Sequence, residues 1–241
     1  MKKYKLLALL LAFVMLPACA SQDMSIVDQN GKTIQVASDG KDTYTFRIPE
    51  KQTPLSPWEN PFNDVSEGDW FYKSVRYCHE NALISGTTED TFSPQQPASR
   101  AMIVSILWRL DGSPDTGTAT FTDVPADQYY ADAVAWAASE GIISGHDADH
   151  FAPDVPISRE QLASILYRYA AYHDWDTTIT TMLDSFADAD AISPYAEDAL
   201  SWAASHGIIN GMDDNLLTPK GDATRAQVAA ILMNLCKNIA V

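Results

Sequence analysis

Three arginines stand where a helix would rather carry an acid. Arg100, Arg159 and Arg225 each follow a residue suited to open a helix, Ser99, Ser158 and Thr224. The first turn of a helix carries partial positive charge, so a cation there is unfavourable by a few tenths to about 1 kcal/mol. The chain has only 16 basic residues against 32 acidic ones, and placing three of them at equivalent, unfavourable positions needs a physical reason. One reason is binding, because an arginine beside the free N–H groups of a helix start makes a site for a carboxylate or phosphate. The other is internal, each arginine pairing with a protein acid such as Asp64, Asp123 or Asp188. The residue types leave both open, and an acid could also align the guanidinium beside a ligand. Trp70, Tyr130 and Tyr195 stand near these acids and could stack on sugar rings or fill the core.

No other constellation competes. Asp147-Ala148-Asp149 reads as a turn and not a calcium loop, since its counterparts Thr88-Glu89-Asp90 and Met212-Asp213-Asp214 lack ligand spacing. His79, His146, His150, His173 and His206 have no zinc spacing. There is no G-x-S-x-G, no Walker loop and no H-E-x-x-H. The expectation is a protein with no catalytic residues, no metal and no cofactor.

The elements that position the arginines repeat with them. The three arginines are 59 and 66 residues apart, and so are the turn glycines Gly86, Gly145 and Gly211. Two anchors in register make an internal repeat. Each copy opens on F-x-D-V or a variant: Phe62 to Val65, Phe121 to Val124, Phe186 to Ala189. An aromatic follows, then a first helix, expected at Ala131–Glu140 in copy two and Pro194–His206 in copy three. Gly141 and Gly207 suit a left-handed helix end, and in copy one Asn81 takes that role. The second helix shows a buried face at i, i+3, i+4, i+7: Met102, Ile103, Ile106, Leu107 and Leu110 in copy one. Ser158 with Gln161 and Thr224 with Gln227 form capping boxes; copy one keeps Ser99 but has Met102 at the third position. One helix pair cannot cover its own apolar face, but three can. The fold class is all-α, with three helix-loop-helix repeats in a pseudo-threefold assembly and the second helices at its centre. The repeats run 62–120, 121–185 and 186–241.

The residues before them differ. Residues 1–19 read as a signal peptide, with Lys2, Lys3 and Lys5 ahead of an apolar run from Leu6 to Leu16 that is too short to span a bilayer. Leu16-Pro17-Ala18-Cys19 resembles a bacterial lipobox, which would acylate Cys19; cleavage after Ala20 is the alternative. Either exports the chain, and a lipid would tether it to a membrane. Residues 20–61 hold two strand-like runs, Thr33–Val36 and Thr43–Ile48, expected to pair as a hairpin, and then a proline-rich linker. Without the first three lysines the chain carries 13 basic and 32 acidic residues, a net charge of −19 that repels nucleic acid and anionic lipid. Cys78 and Cys236 are expected as buried thiols, able to bridge only if the ends of repeats one and three meet.

F-x-D-V, an aromatic, a helix, G-I-I-S-G, F-x-P and a T/S-R-A/E-Q helix start together resemble the S-layer homology (SLH) domain in three copies. The resemblance covers Phe62 to about Lys237. It implies a three-pronged helical fold that holds a protein to the cell envelope by binding cell-wall polysaccharide, often a secondary polymer bearing ketal-linked pyruvate. It also implies that Arg100, Arg159 and Arg225, with Ser99, Ser158 and Thr224 and the glycines Gly86, Gly145 and Gly211, line the ligand grooves. Peptidoglycan carrying amine groups and a protein partner are the alternatives. Copy three departs from the pattern, with Leu217 for phenylalanine and Asn210 for serine, so its groove is expected to be weaker or altered.

Overall fold

The structure is a computed structural model that describes residues 24–27, 33–36, 58–115 and 121–239. These fall into two compact units, divided at Pro57 and Trp58. The expected signal peptide, lipobox and proline-rich linker lie outside the described residues. In the first unit, β1 (Met24–Val27) and β2 (Thr33–Val36) form an antiparallel pair, with Met24 opposite Val36 and Val27 opposite Thr33. Thr33–Val36 is thus a strand as expected, but its partner precedes it. The Asn30-Gly31 dipeptide stands between the two strands, and N-G is a strong hairpin signal. Residues 43–48 lie outside the described residues.

Among its described residues the second unit holds six α-helices: α1 (Tyr72–Glu80), α2 (Arg100–Leu110), α3 (Ala131–Ser139), α4 (Arg159–Tyr172), α5 (Glu197–Ser205) and α6 (Arg225–Asn238). The even-numbered helices start as the sequence dictates. Ser158 and Thr224 complete capping boxes with Gln161 and Gln227, while Ser99 accepts only from the Met102 N–H. The expected helix from Pro194 divides into a 3-10 turn at Pro194–Ala196 and α5. Gly141 and Gly207 end their helices at φ +70° and +63°. In copy one the left-handed residue is Ala82, at φ +54°, and not Asn81. Asn81 stays at negative φ and its side-chain amide donates to Tyr77 O (2.8 Å). Position along the chain, set by the length of the helix, overrides the preference of the residue.

The main helix pairs cross the repeat boundaries. α2 packs on α3, α4 on α5, and α6 returns to α1. Each prong therefore joins the second helix of one repeat to the first helix of the next, and the last pair closes the ring. Trp136 of α3 and Trp202 of α5 are fully buried in these contacts. At the centre lie the residues just before the second helices. The Ala98 N–H donates to Ala223 O (2.9 Å), the Ala223 N–H to Ile157 O (2.8 Å), and the Ile157 N–H to Ala98 O (2.9 Å). The centre is thus a closed triangle of peptide hydrogen bonds, with the helices starting from its corners. The ends of repeats one and three do meet, yet Cys78 and Cys236 are free thiols. Burial first, and then Cys236, push the Cys78 thiol up to about 12.

Candidate functional site

Each arginine reaches out of its own helix into the loop of the next repeat. Arg100 donates its Nε–H to Phe151 O (2.9 Å) and Nη2 to Ser144 O (3.2 Å). Arg159 does the same with Leu217 O (2.6 Å) and Asn210 O (3.1 Å). Arg225 closes the cycle on repeat one, through Phe92 O (2.8 Å) and Ser85 O (2.6 Å). All three side chains are buried, and burial pulls each guanidinium below its ordinary pKa; Asp123, Asp188 and Asp64 oppose that in turn. An arginine remains protonated under such a shift.

Neither of the two roles expected for the arginines is found in its simple form. The amides at the helix starts are not free. In α2 the Arg100 and Ala101 N–H groups donate to Val155 O (3.1 Å) and Pro153 O (2.9 Å) of the neighbouring loop, and α4 and α6 repeat this. Nor does any of the three arginines meet an acid within ion-pair distance among the described residues. The aspartates grip the same loop from the other side. Asp123 accepts from the Phe151 and Ala152 N–H groups (2.8 and 2.7 Å), Asp64 from Phe92 and Ser93, and Asp188 from Leu217 and Thr218. One peptide therefore sits between an acid of its own repeat and an arginine of the preceding one. The clamp holds a strained residue in place: Ser93, Ala152 and Thr218 have φ of +58°, +58° and +46°.

The turn glycines are there for close approach. A Cβ on Gly145 would lie 2.2 Å from Asp147 O and 2.7 Å from the Phe121 ring, and Gly86 is as tight. Gly211 is looser, with the Phe186 ring at 3.0 Å. In the second repeat Asp147 Oδ1 accepts from the Asp149 and His150 N–H groups, so this acidic loop is a turn.

Around Arg100 lies a groove of about 380 Å³, lined by Ser144, Gly145, His146, Gln161, Arg168 and Tyr195 among others. It thus takes residues from all three repeats. Arg100 Nη1 makes no hydrogen bond among the described residues. Tyr195 is 56% exposed, and its hydroxyl donates to Glu160 Oε1 (3.1 Å). Burial first, and then Glu160, push this phenol up to about 12, against the pull of Arg100 and Arg168. Trp70 is also exposed, at 63%, but Tyr130 is only 6% exposed and packs in the core. The exposed ring of repeat two is its neighbour Tyr129, at 70%. Its spacing gives it away, since Trp70, Tyr129 and Tyr195 are 59 and 66 residues apart, as the arginines are. Glu160 was missed as well. It is buried, occupies the position of Ala101 and Ala226, and binds Ser193 N, Ser193 Oγ and Tyr195.

The departures of copy three alter less than its side chains suggest. Leu217 and Asn210 contribute carbonyls, which any residue supplies, so Arg159 keeps both bonds. What is lost is the ring beneath the guanidinium: Arg100 stacks on Phe151 at 4.7 Å and Arg225 on Phe92 at 4.8 Å.

Fold and site together define a class: three helical repeats closed into a ring, with an arginine clamp at every seam and a groove beside Arg100. A family model of the S-layer homology domain matches residues 61–101, 120–163 and 185–229. The chain belongs to the S-layer homology family, whose domain is a non-catalytic module of cell-surface proteins. It is 31% identical over 199 residues to an amylopullulanase of Thermoanaerobacterium thermosulfurigenes, a match covering 80% of this chain and 10% of that protein. It is 29% identical over 184 residues to a surface-layer 125 kDa protein of Lysinibacillus sphaericus, covering 75% of this chain and 15% of the relative. An endoglucanase of a Bacillus species (strain KSM-635) is 29% identical over 187 residues, 75% of this chain and 19% of the enzyme. The chain thus spans roughly a tenth to a fifth of the length of these curated relatives. The two enzymatic names attach to proteins of which the shared module is a small part.

Proposed function

We propose that this chain is a non-catalytic cell-envelope protein that binds an acidic cell-wall polysaccharide in its seam grooves. One observation carries the reading. The Arg100 guanidinium is locked by two backbone carbonyls, which leaves Nη1 for a ligand in a groove that also offers an exposed ring, Tyr195. A locked guanidinium loses little freedom on binding, so its contact with a carboxylate keeps most of its strength. Secondary wall polymers bearing pyruvate fit this chemistry. The tether to the membrane would be a lipid on Cys19, which Cys19→Ala should abolish, moving the protein out of the detergent phase on partitioning.

The test is retention on purified wall sacculi before and after the acidic polymer has been extracted. Retention should be lost on extraction, fall as salt rises, and be weakened by Tyr195→Ala. Undiminished retention on the stripped sacculi would overturn the reading in favour of amine-bearing peptidoglycan or a wall protein.

A further inference from the structure

The three seams differ in the cations they hold. Arg109, Arg168 and Asn234 are equivalent, 59 and 66 residues apart. Arg109 gives Nη2 to Leu83 O (3.2 Å), and Asn234 gives its amide to Ile208 O (3.3 Å), so both are tied to the backbone of their own repeat. Arg168 has no hydrogen bond or ion pair among the described residues, and it lines the same cavity as Arg100. The clamp arginines differ too. Arg225 directs Nη1 at Met102 Sδ (3.4 Å), whereas Gln161 stands at that place beside Arg100 and leaves Nη1 without a bond. The acids around the Arg100 groove are already engaged. Asp123 is bound by two backbone amides, and Glu160 by Ser193 and Tyr195. Two guanidiniums thus share one cavity with no carboxylate bonded to either, a repulsion that an occupant with two negative charges would relieve.

We propose that the Arg100–Arg168 groove is a two-charge site. It takes a sugar unit bearing two acidic groups, one held by each guanidinium, with the sugar ring against Tyr195. At the other two seams the place of Arg168 is taken by an arginine bonded to its own backbone, Arg109, and by an uncharged asparagine, Asn234. The cavity lies near the lower end of the range for small-molecule pockets, ~300–1,000 Å³, and suits one such unit. Glu160 acts here as a positioning residue, since it holds the hydroxyl of Tyr195, which lines the same cavity as Arg100. The proposal rests on the wall-polymer reading for its biological ligand, but the groove is tested without the polymer.

Glucuronic acid 1-phosphate, with a carboxylate and a phosphate, and methyl glucuronide, with a carboxylate only, are titrated calorimetrically into the wild-type chain, Arg168→Gln and Arg168→Lys. The probe with two acidic groups should bind wild type about tenfold more tightly. Arg168→Gln should remove that preference, and Arg168→Lys should keep part of it. Because Arg168 has no hydrogen bond or ion pair among the described residues, neither variant should melt below the wild type. Equal affinity of the wild type for the two probes, or a preference that survives Arg168→Gln, overturns the two-charge site even if sacculi still retain the protein. Loss of sacculus retention with the preference intact overturns the wall reading and leaves the two-charge site standing.

Discussion

A methyl group on Gly145 has nowhere to go. Its contacts would be a backbone oxygen at 2.2 Å and an aromatic ring, neither free to move. Gly145→Ala and Gly86→Ala should each cost about 1–3 kcal/mol or more in a urea melt. Gly211→Ala should cost less, and Gly68→Ala, with open space around it, close to nothing. The arginines allow a second test at this scale. Arg159→Lys keeps the charge but loses the fork, so one of the bonds to Leu217 O and Asn210 O goes unmade. Equilibrium unfolding should register about 1.5–3 kcal/mol. A wild-type midpoint would mean that the clamp is decorative. The arginine positions were legible in the sequence because a cation at a helix start breaks a rule. Their partners were not, because the acceptors are main-chain carbonyls, which leave no trace in residue type. Tyr130 misled for a different reason: the adjacent Tyr129 is as good a ring, and only the repeat spacing tells which of the two faces outward.

At the scale of elements, the capped helix starts were readable residue by residue, and so were the two glycine-ended helices. Copy one shows the limit. Its helix needs a left-handed residue one place beyond Asn81 and finds an alanine. Ala82→Gly should relieve that strain by more than the glycine adds in chain entropy, a net gain of about 0.5 kcal/mol and a Tm rise of about 2 °C by calorimetry. No rise would show that the neighbouring turn already absorbs the strain. The helix pairing was beyond the sequence. Amphipathic stripes say that helices must pack, but they do not say whether α2 meets the helix before it or the one after. The structure chooses the one after, because the clamp loops hold successive repeats in contact at the helix starts.

At the scale of the whole molecule, seams and prongs depend on one another around the ring. Thermal unfolding of residues 58–241 should therefore be one transition by both calorimetry and tryptophan fluorescence; separate transitions for separate repeats would contradict the ring. Acid should weaken it. His173 ends α4 and lies 3.2 Å from Asp111, which ends α2. Burial lowers the His173 pKa below its ordinary value, although Asp111 pulls it upward. Below the unfolded pKa of about 6.5 the unfolded chain takes up the proton more readily than the folded one. The stability this histidine contributes is therefore complete above that pH and declines as pH falls through the folded value. His173→Gln should flatten the dependence of Tm on pH between 7 and 5, and an unchanged slope would assign the loss to other groups. The same closure dictates an order of events when the chain is made. Arg225 and its carbonyl partners Phe92 and Ser85 are 133 and 140 residues apart, and the partner helix of α1 is the last one. The first repeat to be synthesised is thus the one that waits longest for its neighbour. A nascent chain halted before α6 should stay open to protease along repeat one, and protection should arrive in both terminal repeats at once.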